Sequence, residues 1–528
     1  LSGHHGPHLP RQHHAPAMNP CAEIAAASWD QLKLHISSMW PTLTRDLKHA
    51  LEAAIDPKTS SCSGTVSIYV SAREDPGAIR SRLARILPAG EWDRLRIEPL
   101  PGHQELSGHH GLLYLPGRYV VPGGRFNELY GWDSYFILLG LLRDGRTGLA
   151  QSTTDQLLYE VEHYGAVLNA NRTYCLLRSH PPLLSRMVRM VFDATGDLAW
   201  LRSALPWLES YHDYWLAPHH LCTATGLSRY HALGEGPAPE VLASERDAAG
   251  LDHYARLCNA LRGQQPAEPW LHEVYDPVQH RLTSQGYRND RTIRESGFDL
   301  THRFGFCGLA SRDYLPVCLN SLLHTMERDI AAIHRQLESS PSKVSAWESK
   351  AASRADVMHD CLWDSSEGLF LDWNLAASRR STYAFATSFL PLWAGWASRH
   401  QADLMARQVG RFLAPGGLLT SLQNTGCQWD APFTWAPLVH LATRGLEAYG
   451  HHREAQTLKC RFIALAAAEF QRTGLLFEKY DAISSTADCS GKIHFGYPSN
   501  ETGFGWTNGV LADLMSDAGP WQGPRHEG

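Results

Sequence analysis

PGGRFNELYGWDSYFILLGLL, residues 122–142, is where the chain changes character. The adjacent glycines 123 and 124 permit positive φ or a close backbone approach. Arg125, Glu128, Trp132 and Asp133 follow at short intervals. From about Asp133 onward the chain reads as a long succession of helical stretches, with few strand signals. The clearest are Leu157–Val167, Arg186–Phe192, Trp200–Trp215, Val317–Leu337, Lys350–Cys361, Thr382–Gln401 and Glu454–Phe470, separated by Gly- and Pro-rich turns. Repeated helices around one uninterrupted core predict an all-α fold, an (α/α)6 toroidal barrel. No self-similar period is present, which disfavours a helical solenoid.

Upstream, residues 29–54 are amphipathic with a break at Pro41. Gly64–Ser71 (GTVSIYVS) alternates β-branched and aromatic residues and predicts a strand, with Arg94–Pro99 and Leu112–Leu115 as partners. The expected organisation is an extension or tag at 1–17, a helical and β extension at 18–121, the barrel at 122–515 and a tail at 516–528. The first 17 residues carry five of the 29 histidines and no hydrophobic run. Met18 is the expected native start, and no charged-then-apolar leader follows it. A cytoplasmic location is therefore expected, or a periplasmic or secreted one if a leader has been removed.

Composition narrows the function. Hydrophobic residues make up 43% and charged residues 19%, as in ordinary globular proteins. A net charge of −6 gives no electrostatic reason to bind nucleic acid or an anionic membrane. The longest apolar runs, such as Phe136–Leu142, fall far short of the roughly 20 residues that cross a bilayer. Eleven scattered cysteines without a CxxC pair predict reduced thiols and no zinc site. Paired histidines such as His451–His452 lack any metal-ligand spacing. No metal and no cofactor are expected. The 17 Trp, 19 Tyr and 16 Phe sit largely beside Gly, Pro, Asp or Asn, a setting suited to stacking on sugar rings as well as to packing.

The chemistry concentrates in five turns: PGGRFNELYGWD (122–133), NANRTYCLLRSHPP (169–182), RESGFDLTHRF (294–304), GGLLTSLQNTGCQWDAPFTWAP (416–437) and the span 477–509 with FEKYD and NETGFGWTNG. A lone Asp in such a turn is ordinarily a helix cap, so each alone decides nothing. Together, and in this order, they resemble the trehalase family of glycoside hydrolases (family 37). PGGRFNELYGWD and QWDAPFTWAP match the two diagnostic motifs of that family. ESGFD corresponds to ESGWD, FEKYD to EKYD, RSHPP to RSQPP, and GFGWTNG is identical. The resemblance runs from Pro122 to Val510.

What the resemblance implies is hydrolysis of α,α-trehalose with inversion, Asp299 acting as general acid and Glu478 as general base. It implies sugar contacts from Arg125, Asp133, Asn169, Arg178 and Glu240, with Phe126, Trp132, Trp429 and Trp435 as walls and Gln428 beside them. Inversion itself demands one protonated acid and one carboxylate that activates water, roughly 6.5–9.5 Å apart. Phe298 and Leu300 are placed to desolvate Asp299, and Lys479 to keep Glu478 ionised if it points inward.

Several segments depart from the family. GGGGEY is replaced by HFGYPSNETGFGW, so Tyr497 and Glu501 are expected to take over part of its role. RPES reads APEV, leaving Ala238 for the arginine while Glu240 remains, with Arg229 or Arg246 as expected substitutes. His180 stands at the glutamine of RSQPP and Phe298 at a tryptophan. These changes keep open another small α-glycoside (glucosylglycerate, mannosylglycerate or glucosylglycerol) and a non-catalytic sugar-binding protein. The expected partner is a small disaccharide or α-glucoside, with the chain a monomer or homodimer.

Overall fold

Twelve helices build the barrel, numbered here in chain order: α1 Ala26–Leu43, α2 Gly131–Arg143, α3 Thr147–Tyr164, α4 Leu184–Thr195, α5 Leu198–Trp215, α6 Val317–Gln336, α7 Pro341–Leu362, α8 Leu390–Trp393, α9 Arg399–Phe412, α10 Ala436–Ala448, α11 His452–Thr473 and α12 Gly505–Ala518. The structure is a computed structural model that describes residues 26–59, 64–101, 110–244, 246–247, 249–264 and 269–518. The expected extension at 1–17 and all but the first three residues of the expected tail lie outside the described residues.

The even-numbered helices form the inner ring. α2 packs on α4, α4 on α6, α6 on α8, α8 on α10, α10 on α12, and α12 closes the circle on α2. Sequence sorts the two rings by how much of each helix is apolar. Every residue of α2 from Gly131 to Leu141 is buried, as an inner helix requires. α7 buries only Trp347, Ala351, Arg354, Met358 and Leu362, a single stripe at three- and four-residue spacing, as an outer helix requires. Ring closure depends on glycine. A Cβ on Gly140 would lie 2.8 Å from the Gly509 Cα, and one on Gly509 would lie 1.9 Å from the Phe136 carbonyl oxygen, so only glycines let α2 and α12 cross this closely.

Three expectations need correction. First, α1 belongs to the outer ring and not to a separate extension, because it packs on α11 and α12 and its Trp40 indole donates to Asp144 at 2.6 Å. Pro41 sits inside its last turn without breaking it. Second, the stretch 382–401 is not one helix. Gly395 turns the chain at φ 74°, and Ser398 and Gln401 form a capping box that starts α9 afresh. Third, α12 runs on to Ala518, three residues past the expected end at 515. The small sheet is present, with Val66–Val70 central and parallel to both Leu95–Pro99 and Leu112–Leu113.

Between α5 and α6 the chain makes an excursion of its own. It carries the helices His253–Arg262 and Ser284–Glu295 and a second apolar core around Leu257, Leu261, Leu282, Ile293, Leu300 and Phe304. Because inner and outer helices alternate, the inner helices run in one direction. The turns entering α2, α4, α10 and α12 therefore meet at one mouth, and the excursion leans over it.

Candidate active site

One cavity opens at that mouth, its empty space about 730 Å³ with the open solvent at its entrance included. Asp299 and Glu478 both line it. So do Arg125, Phe126, Trp132 and Asp133 from the entry to α2, and Asn169, Arg178 and His180 from the entry to α4. Glu240 of the excursion, Trp429 and Tyr497 complete the residues expected from sequence. Gln428, Trp435 and Glu501 are not among the lining residues and stand one layer behind. Gln428 donates its amide to the main-chain oxygen of Asp299. Trp435 stacks under Trp429 with ring centroids 3.9 Å apart and donates its indole N–H to the Gln428 carbonyl at 3.0 Å. Glu501 accepts the Arg125 main-chain N–H at 3.1 Å.

The two carboxylates are held differently. Glu478 is buried, its Oε2 3.1 Å from Lys479 Nζ and its Oε1 accepting the Tyr497 hydroxyl. Lys479 thus points inward, fully buried, and also donates to the Ser499 carbonyl at 2.9 Å. Burial, then the charges of Glu478 and Asp299, push the Tyr497 phenol well above its ordinary range, so it remains a donor. Asp299 keeps 27% of its side chain exposed and lies 3.5 Å from Arg294 Nη1. Arg294 also pairs with Asp290 at 3.2 Å. Phe298 turns away from the carboxyl into the aromatic packing, edge-on to Trp132, Trp429 and Phe385.

The remaining polar wall is built of interlocked groups. Arg178 Nη2 meets Glu240 Oε1 at 2.5 Å and Asn169 Oδ1 at 3.3 Å. Burial pushes the Glu240 carboxyl up, but Arg178 and then Arg294 outweigh it and hold it below its usual range. Arg178 Nε and Nη1 are buried without a protein partner among the described residues, two donors aimed at a polar guest. Asp133, in the first turn of α2, is pushed well above the ordinary carboxyl range by burial and then by the charges of Glu478 and Asp299. His180 accepts the Trp132 main-chain N–H at 3.2 Å, and burial followed by the Arg178 charge holds its imidazole well below 6.5, so it is neutral. The aromatic floor groups Trp132, Trp429 and Trp506, and the Trp506 indole donates to the Glu478 carbonyl at 3.0 Å.

Several lining residues carry no sequence assignment above. Arg294 opens the RESGFD turn and lines the cavity, where Arg229 or Arg246 was expected. Arg229 bonds the His219 and Arg312 carbonyls instead, Arg246 bonds Gly250, and neither lines the cavity. Tyr130, Phe504 and Trp506 lie inside quoted motifs, where a neighbour flanking an assigned residue was the available signal. Lys58 had none. It arrives from the segment before the small sheet, meets Glu128 at 2.8 Å, and with Asp56 and Arg172 forms a buried ionic cluster beneath Arg125. Glu128 is wholly buried in that cluster, so its part in the motif is structural.

A sequence profile described as Trehalase matches residues 16–519. The chain belongs to the trehalase family. Within that family it is 34% identical over 448 residues to a cytosolic neutral trehalase of Saccharomyces cerevisiae, a match covering 76% of this chain and 57% of that protein. It is 35% identical over 430 residues to a periplasmic trehalase of Xanthomonas campestris pv. campestris, covering 79% of this chain and 72% of that one. The chain spans a little over half the length of the fungal trehalases it matches. The solved neutral trehalase of S. cerevisiae superposes with a TM-score of 0.76 at 29% identity, over 93% of this chain and 94% of that one. The (α/α)6 barrel expected from sequence is thus the fold of this trehalase-family chain. A mannosylglycerate hydrolase of Thermus thermophilus, at 20% identity and a TM-score of 0.51, shares the fold. No helix among the described residues is long and apolar enough to cross a membrane.

Proposed function

We propose that this chain hydrolyses α,α-trehalose to two glucoses with inversion, Asp299 serving as general acid and Glu478 as general base. The observation that carries this reading is the pair of carboxylates in one cavity, one locked between a lysine and a phenol, the other partly open to solvent. Lys479 and Tyr497 hold the Glu478 carboxylate in place with two donors, as a base that must face a water needs. A sugar seated over Asp299 would displace its remaining water and favour the protonated form, as an acid needs. Arg294 works against that proton, but its charge is shared with Asp290 and Glu240.

In the proposed reaction, Glu478 takes a proton from a water that attacks C1 on the face opposite the glycosidic bond. Asp299 gives its proton to the departing oxygen as the C1–O bond breaks. Proton exchange with solvent then restores both groups. Arg178, Glu240, Arg125, Asn169 and Asp133 would bind hydroxyls, and Trp132, Trp429 and Phe126 would take the C–H faces of the rings. Both proton transfers are made by side chains of the chain itself.

The test is an early-time proton NMR assay on trehalose and on a panel of small α-glycosides. Trehalose should be cleaved, releasing α- and β-glucose in equal initial amounts, since only the attacked ring inverts. Release of α-glucose alone would overturn the mechanism. Cleavage of another glycoside with trehalose untouched would overturn the substrate.

A further inference from the structure

Behind the cavity, the imidazole of His302 and the thiols of Cys307 and Cys427 present three ligating atoms within 4.8 Å of one another. Scattered cysteines without a CxxC pair had predicted no such grouping, because these two lie 120 residues apart in sequence. Their sulfurs are 3.7 Å apart, and Cys307 Sγ is 3.6 Å from His302 Nε2. A tetrahedral centre with metal–sulfur bonds of about 2.3 Å and metal–nitrogen bonds of about 2.0–2.1 Å sets S···S near about 3.8 Å and S···N near about 3.6 Å. Both edges already have that length. A disulfide would need the sulfurs at about 2.0 Å, hence a substantial shift of two buried side chains.

We propose that His302, Cys307 and Cys427 form a binding site for one thiophilic divalent cation of the zinc class. The ion would take two thiolate sulfurs and the imidazole nitrogen, release two thiol protons to solvent, and fill its fourth position with water. His302 is only half-buried, which leaves a path for the ion, while both sulfurs are buried. The surroundings favour positive charge. The Asp430 carboxylate accepts the His302 main-chain N–H at 2.9 Å.

The position gives the site a role as a clamp. His302 lies three residues after Asp299, and Cys427 immediately precedes Gln428, whose amide holds the Asp299 carbonyl. Trp429 N–H donates to the Leu300 carbonyl at 3.0 Å between the same two segments. An ion here would tie the excursion to the turn entering α10 without touching the cavity. The inference is independent of which sugar is bound.

The test is anaerobic titration of the reduced, chelator-treated full chain with Co²⁺, followed by thiolate-to-cobalt charge-transfer absorption and displaced with Zn²⁺. One ion per chain is expected, with the band lost in Cys307→Ser and Cys427→Ser and retained in Cys460→Ser. Since buried thiol variants can misfold, the half-buried ligand supplies a second arm. His302→Gln, with an unchanged circular dichroism spectrum, should bind at least tenfold more weakly. Absence of the band in the unaltered chain, an unchanged titration in the double cysteine variant, or a thiol count showing the two sulfurs joined would each overturn the site.

Discussion

The turn that carries Glu478 and the excursion that carries Asp299 line the same cavity by opposite means. Glu478 sits among residues of the barrel itself, between Phe477 and the start of α12, and its main-chain N–H donates to the Glu501 carbonyl at 2.8 Å. Its carboxylate has two side-chain donors, Lys479 and Tyr497, and is almost fully buried. Asp299 is delivered by a segment with its own apolar core, is partly exposed, and shares Arg294 with Asp290. The difference teaches that Glu478 is fixed by the scaffold itself, whereas Asp299 is left open toward whatever the cavity binds.

The largest expected effect comes from removing either carboxyl function. Asp299→Asn and Glu478→Gln should each lower trehalose turnover by about 10²–10⁴-fold, and only Glu478→Gln, which leaves Lys479 buried beside a neutral amide, should also lower the melting temperature. Near-native activity in either variant would end the comparison. Next is Lys479→Met, which breaks a fully buried ion pair. Loss of one partner of such a pair costs about 3–5 kcal/mol, so a large drop in denaturation midpoint is expected, along with loss of activity near neutral pH. A variant that melts like the unaltered chain would show that Glu478 does not depend on its lysine.

Tyr497→Phe should act more mildly and more tellingly. Losing one hydrogen bond to a charged group is worth about 1.5–3 kcal/mol, or roughly tenfold to a hundredfold in kcat at about 1.4 kcal/mol per decade. Because that donor positions the Glu478 carboxylate, the loss should fall on kcat with KM little changed. A raised KM with kcat unchanged would show that Tyr497 serves binding instead.

The smallest effect concerns His180, at the position where the family motif has glutamine. Its folded pKa is depressed below 6.5, so below pH 6.5 the unfolded chain takes up a proton that the folded chain refuses. The stability this group contributes is present above pH 6.5 and lost as the pH falls below it, at up to about 1.4 kcal/mol per pH unit. His180→Gln should make stability fall less steeply below pH 6.5, measured by urea denaturation across pH 5–8. An unchanged slope would mean that His180 is already charged.

Much of this molecule was legible because its chemistry is local. Arg125, Asp133, Asp299 and Glu478 each lie in a short turn with a distinctive composition, and each turn enters an inner helix or leans over one. The helices were legible where apolar residues continue unbroken, as one stripe in the outer α5 and on nearly every face of the inner α6. The stretch 382–401 misled because its apolar residues continue across Gly395, whose left-handed backbone ends the helix, while Ser398 begins the next. What stayed hidden depends on distant pairings. Lys58 reaches Glu128 across 70 residues, and α1 joins a ring that begins at its other members some 100 residues later. Arg294 was spelled out in RESGFD, yet nothing local shows that it, and not Arg229 or Arg246, faces the cavity.

The central claim is the division of labour between the two carboxylates, and a leaving group that needs no proton tests it most directly. Both variants, Asp299→Asn and Glu478→Gln, are to be assayed on trehalose and on α-glucosyl fluoride. The account predicts that Asp299→Asn regains most of its lost rate on the fluoride, because fluoride departs without a general acid. Glu478→Gln should stay depressed on both substrates, since water still lacks its base. Rescue of Glu478→Gln by the fluoride, with Asp299→Asn inactive on both, would contradict the assignment.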